Sequence, residues 1–147
     1  MNKFIYSKKS FCCLYKGCWL DSLLELRFIL SIETTHYWLR EDLKIYYKID
    51  DIPEGIKGGL SSYTPDFLIR DKLTGKATLV EIKPEGFNDK YELLRRRKIA
   101  EEFILRWGYD WEFQIIYSNQ ITLSKKAKTK FLRLLRKSLR VVSPVGT

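Results

Sequence analysis

The sequence predicts an α/β fold in which a mixed β-sheet is flanked by helices. Three observations predict it. Apolar residues recur at helical spacing in three stretches, they follow strand-like patterns in four others, and the order along the chain is α-β-β-β-α-β-α. Hydrophobic residues make up 45% and aromatic residues 14% of the 147, enough for one domain with a real core and too much for a wholly disordered chain.

Residues 3–16 are basic and irregular, with room for a short strand. Residues 19–33 read as a largely buried helix, because Trp19, Leu20, Leu23, Leu24, Leu26, Phe28, Ile29, Leu30 and Ile32 cover most of its circumference. At 100° per residue Asp21, Ser22, Glu25 and Glu33 fall in one arc. A carboxylate stripe on so apolar a helix is costly unless it meets water, a cation or a metal. Residues 42–49 alternate as a strand around Leu43, Ile45, Tyr47 and Ile49, and a turn-rich stretch with Pro53, Gly55, Gly58 and Gly59 follows. Residues 63–70 and 77–83 are strands joined by a turn from Asp71 to Gly75, so they should pair as a hairpin. Asn88 is the expected N-cap of a helix over 89–106, with an apolar face of Tyr91, Leu94, Ala100, Phe103, Ile104 and Trp107 and a stop at Gly108. Residues 111–117 form a strand with Trp111, Phe113, Ile115 and Tyr117 on one side. Ser124 caps a final helix, 125–140.

The charge is unevenly placed. The chain has 27 Lys+Arg against 18 Asp+Glu, and every acidic residue lies between positions 21 and 119. Two basic ends flank that centre, which suits a polyanion whose phosphates reward Lys and Arg by counterion release. No run approaches the ~18 apolar residues a membrane helix needs, so no membrane span is expected. The start shows no secretory signal, which makes the cytoplasm the expected location. Cys12, Cys13 and Cys18 with His36 could form a zinc set, but the spacing fits no known finger. Thiols in a half-buried segment are the favoured reading, and the odd count argues against a disulfide framework. His36, the only histidine, has no serine–acid context for a nucleophilic triad.

Two segments carry chemistry: Tyr63-Thr64-Pro65-Asp66-Phe67-Leu68-Ile69 and Leu79-Val80-Glu81-Ile82-Lys83-Pro84. Strand period two puts Glu81 and Lys83 on one face, with Val80 and Ile82 on the other. Asp66 sits early on the neighbouring strand, so one sheet edge presents Asp66, Glu81 and Lys83 together. Paired carboxylates hold Mg²⁺, a hard cation that favours oxygen. The metal stabilises phosphate charge and acidifies a bound water, while a lysine positions that water or stabilises the transition state. Glu25, on the acidic arc, could complete the shell. A bare Glu-x-Lys is common on solvated strands; the surrounding apolar residues and the Pro-Asp pair raise its weight.

These segments resemble the PD-(D/E)xK nuclease superfamily. Together with Asp21-Ser22-Leu23-Leu24-Glu25 through Phe28, they are similar to the N-terminal catalytic domain of TnsA-type transposon endonucleases, over roughly residues 19–122. The resemblance implies a restriction-endonuclease-like core over 19–122, between a basic segment at 1–18 and a basic helix and tail at 123–147. It implies Mg²⁺-dependent hydrolysis of double-stranded DNA, with Mn²⁺ able to substitute. Glu25, Asp66, Glu81 and Lys83 would be the catalytic set, and Asp66, Glu81, Glu25 and Ile82 the metal set. It implies a DDE-type transposase subunit as partner, since TnsA-type enzymes cut the 5′ ends of a transposon while that enzyme cuts and joins the 3′ ends. Small phage nucleases, including head-completion nucleases, have a similar layout at about this size, so phage assembly proteins are the alternative partners. A non-catalytic DNA-binding assembly subunit is the reading from another class. A double-strand cut needs two sites or two encounters, which makes a homodimer the expected assembly if no second nuclease takes part.

Arg95, Arg96, Arg97 and Lys98 follow the catalytic strand in this layout and are candidates for DNA contact. A run of four spans a full turn, so not all can touch one duplex. Lys125, Lys126, Lys130, Arg133, Arg136 and Lys137 on the final helix are the better phosphate-binding candidates. A rival reading makes that helix an amphipathic element docking an acidic partner or an anionic membrane surface.

Overall fold

The computed structural model describes residues 5–6, 13–48 and 60–142. The predicted turn-rich stretch at 50–59 and most of the basic N-terminal stretch, with Cys12, lie outside the described residues. The chain is α/β, with three helices and a mixed four-stranded sheet. It divides into two compact units, one built from the residues up to Thr34 and from Tyr117 onward, the other from Thr35–Ile116.

The first unit opens with an antiparallel meander of β1 (Ile5–Tyr6), β2 (Cys13–Tyr15) and β3 (Cys18–Leu20). Lys16 and Gly17 turn the second hairpin with φ of 49° and 77°, the left-handed pair that matches strand twist. Helix α1 (Leu23–Ile32) follows and packs on β2, β3 and α3 (Lys125–Val142). The sequence places the start of α1 at residue 19; the structure makes Trp19 and Leu20 strand, exposed and buried in alternation at 55% and 0%. The reason is Ser22, whose backbone is extended and whose hydroxyl accepts the Glu25 N–H at 3.3 Å, so the helix cannot begin before it. Ser124 caps α3 as expected, accepting from the Ala127 N–H at 3.1 Å.

The second unit holds the sheet, in the order β4 (His36–Arg40), β7 (Phe67–Asp71), β8 (Ala77–Lys83), β9 (Trp111–Tyr117). A separate ladder pairs β5 (Ile45–Lys48) with β6 (Leu60–Tyr63). Strands β7 and β8 form the expected antiparallel hairpin, but β7 starts at Phe67 and not at residue 63: Tyr63 ends β6, and Pro65, with no N–H for a ladder, separates the two strands. Its turn is pinned by Asp71 Oδ1, which accepts the Leu73 and Thr74 N–H groups at 2.8 and 3.0 Å, and by Gly75 at φ 75°. Strand β4 has no counterpart in the sequence reading. Aromatic or aliphatic residues occupy both its faces (Trp38 inward, Tyr37 and Leu39 exposed), which hides the alternation.

Helix α2 (Lys90–Trp107) connects β8 to β9, which lies beside β8. Its N-cap is Asp89, one residue beyond the expected Asn88, because the Asp89 side chain accepts the Glu92 N–H at 3.1 Å. Gly108 ends it in the left-handed conformation, as expected. The buried face of α2 is Leu93, Ile99, Ala100 and Ile104, the last three packing with Ile45, Tyr63, Leu79 and Phe113 in one core. The expected face is therefore rotated: Tyr91, Leu94 and Trp107 are exposed at 76%, 66% and 63%.

Candidate active site

Asp66 lies at the mouth of β7, directly after the Pro65 that separates β6 from β7. Its Oδ2 accepts the Ile82 N–H at 2.7 Å, which ties the start of β7 to the end of β8. Glu81 is two positions from the end of β8 and only 3% exposed. Period two then brings Lys83 to the same face, with its Nζ 3.8 Å from Glu81 Oε1 and 4.5 Å from the centre of the Phe87 ring. Structure and expectation agree that Asp66, Glu81 and Lys83 meet. Ile82, the fourth residue of the motif, has only a main-chain carbonyl to offer a cation, since its N–H is committed to Asp66.

Two residues complete this cluster without having been assigned to it. The Tyr63 hydroxyl donates to Glu81 Oε2. The Arg96 guanidinium donates to Glu81 Oε1 at 2.6 Å and to Glu92 Oε1 at 2.5 Å, and stands 5.6 Å over the Tyr63 ring. Arg96, expected on the DNA side with its neighbours, thus turns toward the carboxylates. Arg96 is three residues from Leu93 and four from Ala100, both buried, so it shares the inner face of α2. Of the other expected DNA contacts on α2, Arg95 donates to the Tyr47 hydroxyl, Arg97 pairs with Glu101 at 3.2 Å, and Lys98 is exposed.

The electrostatics follow from burial. Burial pushes the Glu81 carboxyl up to about 7, and the neighbouring Asp66 charge pushes the same way against the pull of Tyr63, Arg96 and Lys83. Burial also raises Asp66, opposed by the Ile82 N–H. The Tyr63 hydroxyl is raised well above its ordinary value by burial and by Glu81. Burial thus raises both the half-buried Asp66 and the buried Glu81, and such a pair of oxygen donors is of the kind a hard cation such as Mg²⁺ favours.

Glu25 belongs to the first unit. It is 6% exposed, and its Oε2 accepts the Asp21 N–H at 2.6 Å while its own N–H donates to the Ser22 cap. The basic residues of α3 divide by exposure. Lys125, Lys126, Arg133, Arg136 and Lys137 are exposed. Lys130 instead pairs with Glu33 at 2.8 Å. Glu33 also receives Lys16 at 3.0 Å and the Tyr15 hydroxyl at 3.0 Å. No helix among the described residues is long and apolar enough to cross a membrane.

Cys13 is buried with its Sγ 3.9 Å from the Ser22 carbonyl oxygen, and Cys18 is half-buried on β3. His36, at the start of β4, has Nδ1 2.7 Å from Thr35 Oγ1 and Nε2 3.8 Å from Asp71 Oδ2. Comparison with protein-family models, with curated proteins and with solved structures gives no match.

Proposed function

We propose that this chain is a Mg²⁺-dependent DNA endonuclease of the PD-(D/E)xK type, acting as a TnsA-like subunit that cuts transposon ends. One observation carries the reading: the half-buried Asp66 carboxyl, just before β7, lies beside the buried Glu81 carboxyl near the end of the paired strand β8, with Lys83 on the Glu81 face. Asp66, Glu81 and the Ile82 carbonyl would hold the metal. When bound, the cation neutralises phosphate charge and acidifies a water.

The chain's own groups do the rest. The Ile82 N–H fixes the Asp66 carboxylate. Tyr63 and Arg96 fix Glu81 from two sides, so neither acid must reorganise during the reaction. Lys83 lies at the edge of the cluster, where its ammonium can orient the attacking water or meet charge developing on the phosphate. Hydrolysis would leave 5′-phosphate and 3′-hydroxyl ends, as in the superfamily. The exposed cations of α3 supply sequence-independent phosphate contacts. A phage-encoded nuclease would use the same chemistry on other DNA. The pairing of Glu81 with Arg96 favours a second reading, a DNA-binding assembly subunit without catalysis, since the guanidinium already occupies one Glu81 oxygen.

The test is nicking of supercoiled plasmid by the purified chain in Mg²⁺ or Mn²⁺, against EDTA and against Asp66→Ala. Metal-dependent nicking that disappears in the variant is the expected result. Retained DNA binding without nicking in any metal would favour the assembly subunit.

A further inference from the structure

A groove of about 1050 Å³ runs between α2 and the β5–β6 ladder of the second unit. Its lining sets aromatic rings and cations beside the aliphatic Ile45, Leu60, Leu94 and Ile99. Tyr46, Tyr91 and Trp107 border it with their side chains largely exposed, at 65%, 76% and 63%. Lys44, Lys48, Arg95, Lys98 and Arg106 also line it, against Glu102 as the acid. The two sets are interleaved: Lys44 lies 5.5 Å over the Tyr46 ring, and Arg95 lies 5.4 Å over the Tyr47 ring.

Solvent-facing aromatic rings between cations have no use for a duplex, whose bases are stacked inside and whose phosphates need only the charges. They suit unpaired bases, which stack on any flat ring while the cations follow the backbone. The groove also adjoins the carboxyl cluster. Arg95 lines it while the next residue, Arg96, bonds Glu81. Ile45, part of its lining, pairs across the ladder with Tyr63, whose hydroxyl reaches Glu81.

The geometry points to a binding site for single-stranded DNA beside the catalytic centre, so that the preferred substrate carries an unpaired stretch next to the scissile phosphate. The inference rests on the nuclease reading for its role, but the groove can be tested separately. Binding is measured with the full chain in EDTA, by fluorescence anisotropy of a labelled oligothymidine of about 12 nucleotides and of a mixed-sequence duplex of equal length. Tyr46→Ala and Trp107→Ala should each weaken oligothymidine binding by about 5- to 100-fold and leave duplex binding unchanged. Trp107→Phe should restore most of the affinity, which a loss of folding would not permit.

Equal weakening of duplex and oligothymidine would overturn the inference and make the groove a duplex-backbone surface. So would absence of oligothymidine binding by a chain that nicks plasmid. Displacement of the oligothymidine by a polyglutamate peptide, with affinity insensitive to the aromatic substitutions, would overturn it in favour of an acidic protein partner. Oligothymidine binding through the aromatic residues without any nicking would support the groove and count against the nuclease reading.

Discussion

Glu33 in the first unit and Glu81 in the second are surrounded by almost the same groups and behave in opposite ways. Each accepts from a tyrosine hydroxyl, Tyr15 or Tyr63, and each meets two cations, Lys16 and Lys130 or Arg96 and Lys83. Cations also lie over each tyrosine ring, Lys16 and Lys130 over Tyr15 at 5.5 and 5.4 Å and Arg96 over Tyr63 at 5.6 Å. Burial works to raise both carboxyls. Around Glu33 the hydrogen bonds from Lys130, Lys16 and Tyr15 win, and the carboxyl falls below its usual range. Around Glu81 they lose, and it rises to about 7. The difference is company. Glu33 has two cations to itself, whereas Glu81 shares Arg96 with Glu92 and lies against Asp66. The first arrangement is a satisfied structural ion pair. The second leaves a buried carboxyl beside another acid, with cations that do not fully offset the two.

The sharpest way to separate the two clusters is to remove an acid from each. Asp66→Ala should lower the nicking rate by about 100-fold or more with DNA binding retained, and Glu33→Ala should leave the rate unchanged. Equal rates for Asp66→Ala and the parent would take Asp66 out of the mechanism.

Next in size is the loss of one cation, read as the shift in urea-unfolding free energy. Arg96→Ala leaves Glu81 buried with a weaker partner set and should cost about 2–3 kcal/mol, somewhat below a fully buried pair because Arg96 is partly exposed. Lys130→Ala should cost about 1 kcal/mol, since Lys16 stays on Glu33 and the lysine meets solvent. Equal losses would mean that the company of Asp66 and Glu92 does not matter.

The direction of the Glu33 shift gives a pH prediction. Its folded-state value is depressed, so its contribution is fully present above the ordinary carboxyl value of 4.5 and fades as pH falls through the lower folded value. Glu33→Gln should therefore be less stable than the parent at neutral pH, with the gap closing in acid, as followed by thermal melts over an acid pH series. A gap independent of pH would assign the effect to packing.

The smallest expected effect concerns the surface. Neutralising Lys126, Arg133 and Lys137 together should reduce the slope of log affinity against log salt for duplex DNA by about 0.9 for each phosphate that these side chains neutralise, with little change in stability. An unchanged slope would give α3 another role.

The legible parts of the molecule were those whose signals are local. The β7–β8 hairpin follows from Asp71 and Gly75, the end of α2 from Gly108, and the cap of α3 from Ser124. Glu81 and Lys83 share a face because a strand has period two. What escaped depended on partners distant in sequence. Strand β4 is defined by pairing with β7, about 30 residues away in the chain, and carries apolar residues on both faces. The start of α1 was set by the Ser22 cap over a continuing apolar run. The face of α2 was decided by what it packs against, Ile45, Tyr63, Leu79 and Phe113, and that rotation turned Arg96 inward and left Tyr91, Leu94 and Trp107 outside.

Residue order alone specified the α/β class, the extents of β8 and β9, nearly those of α2 and α3, and the meeting of Asp66, Glu81 and Lys83, because caps, turns and strand periodicity act over a few residues. Tertiary packing chose which cations answer which acids, how far each carboxyl is buried, and which face of α2 meets solvent. Those depend on desolvation and on charges brought together from distant parts of the chain, and short-range pattern does not encode them.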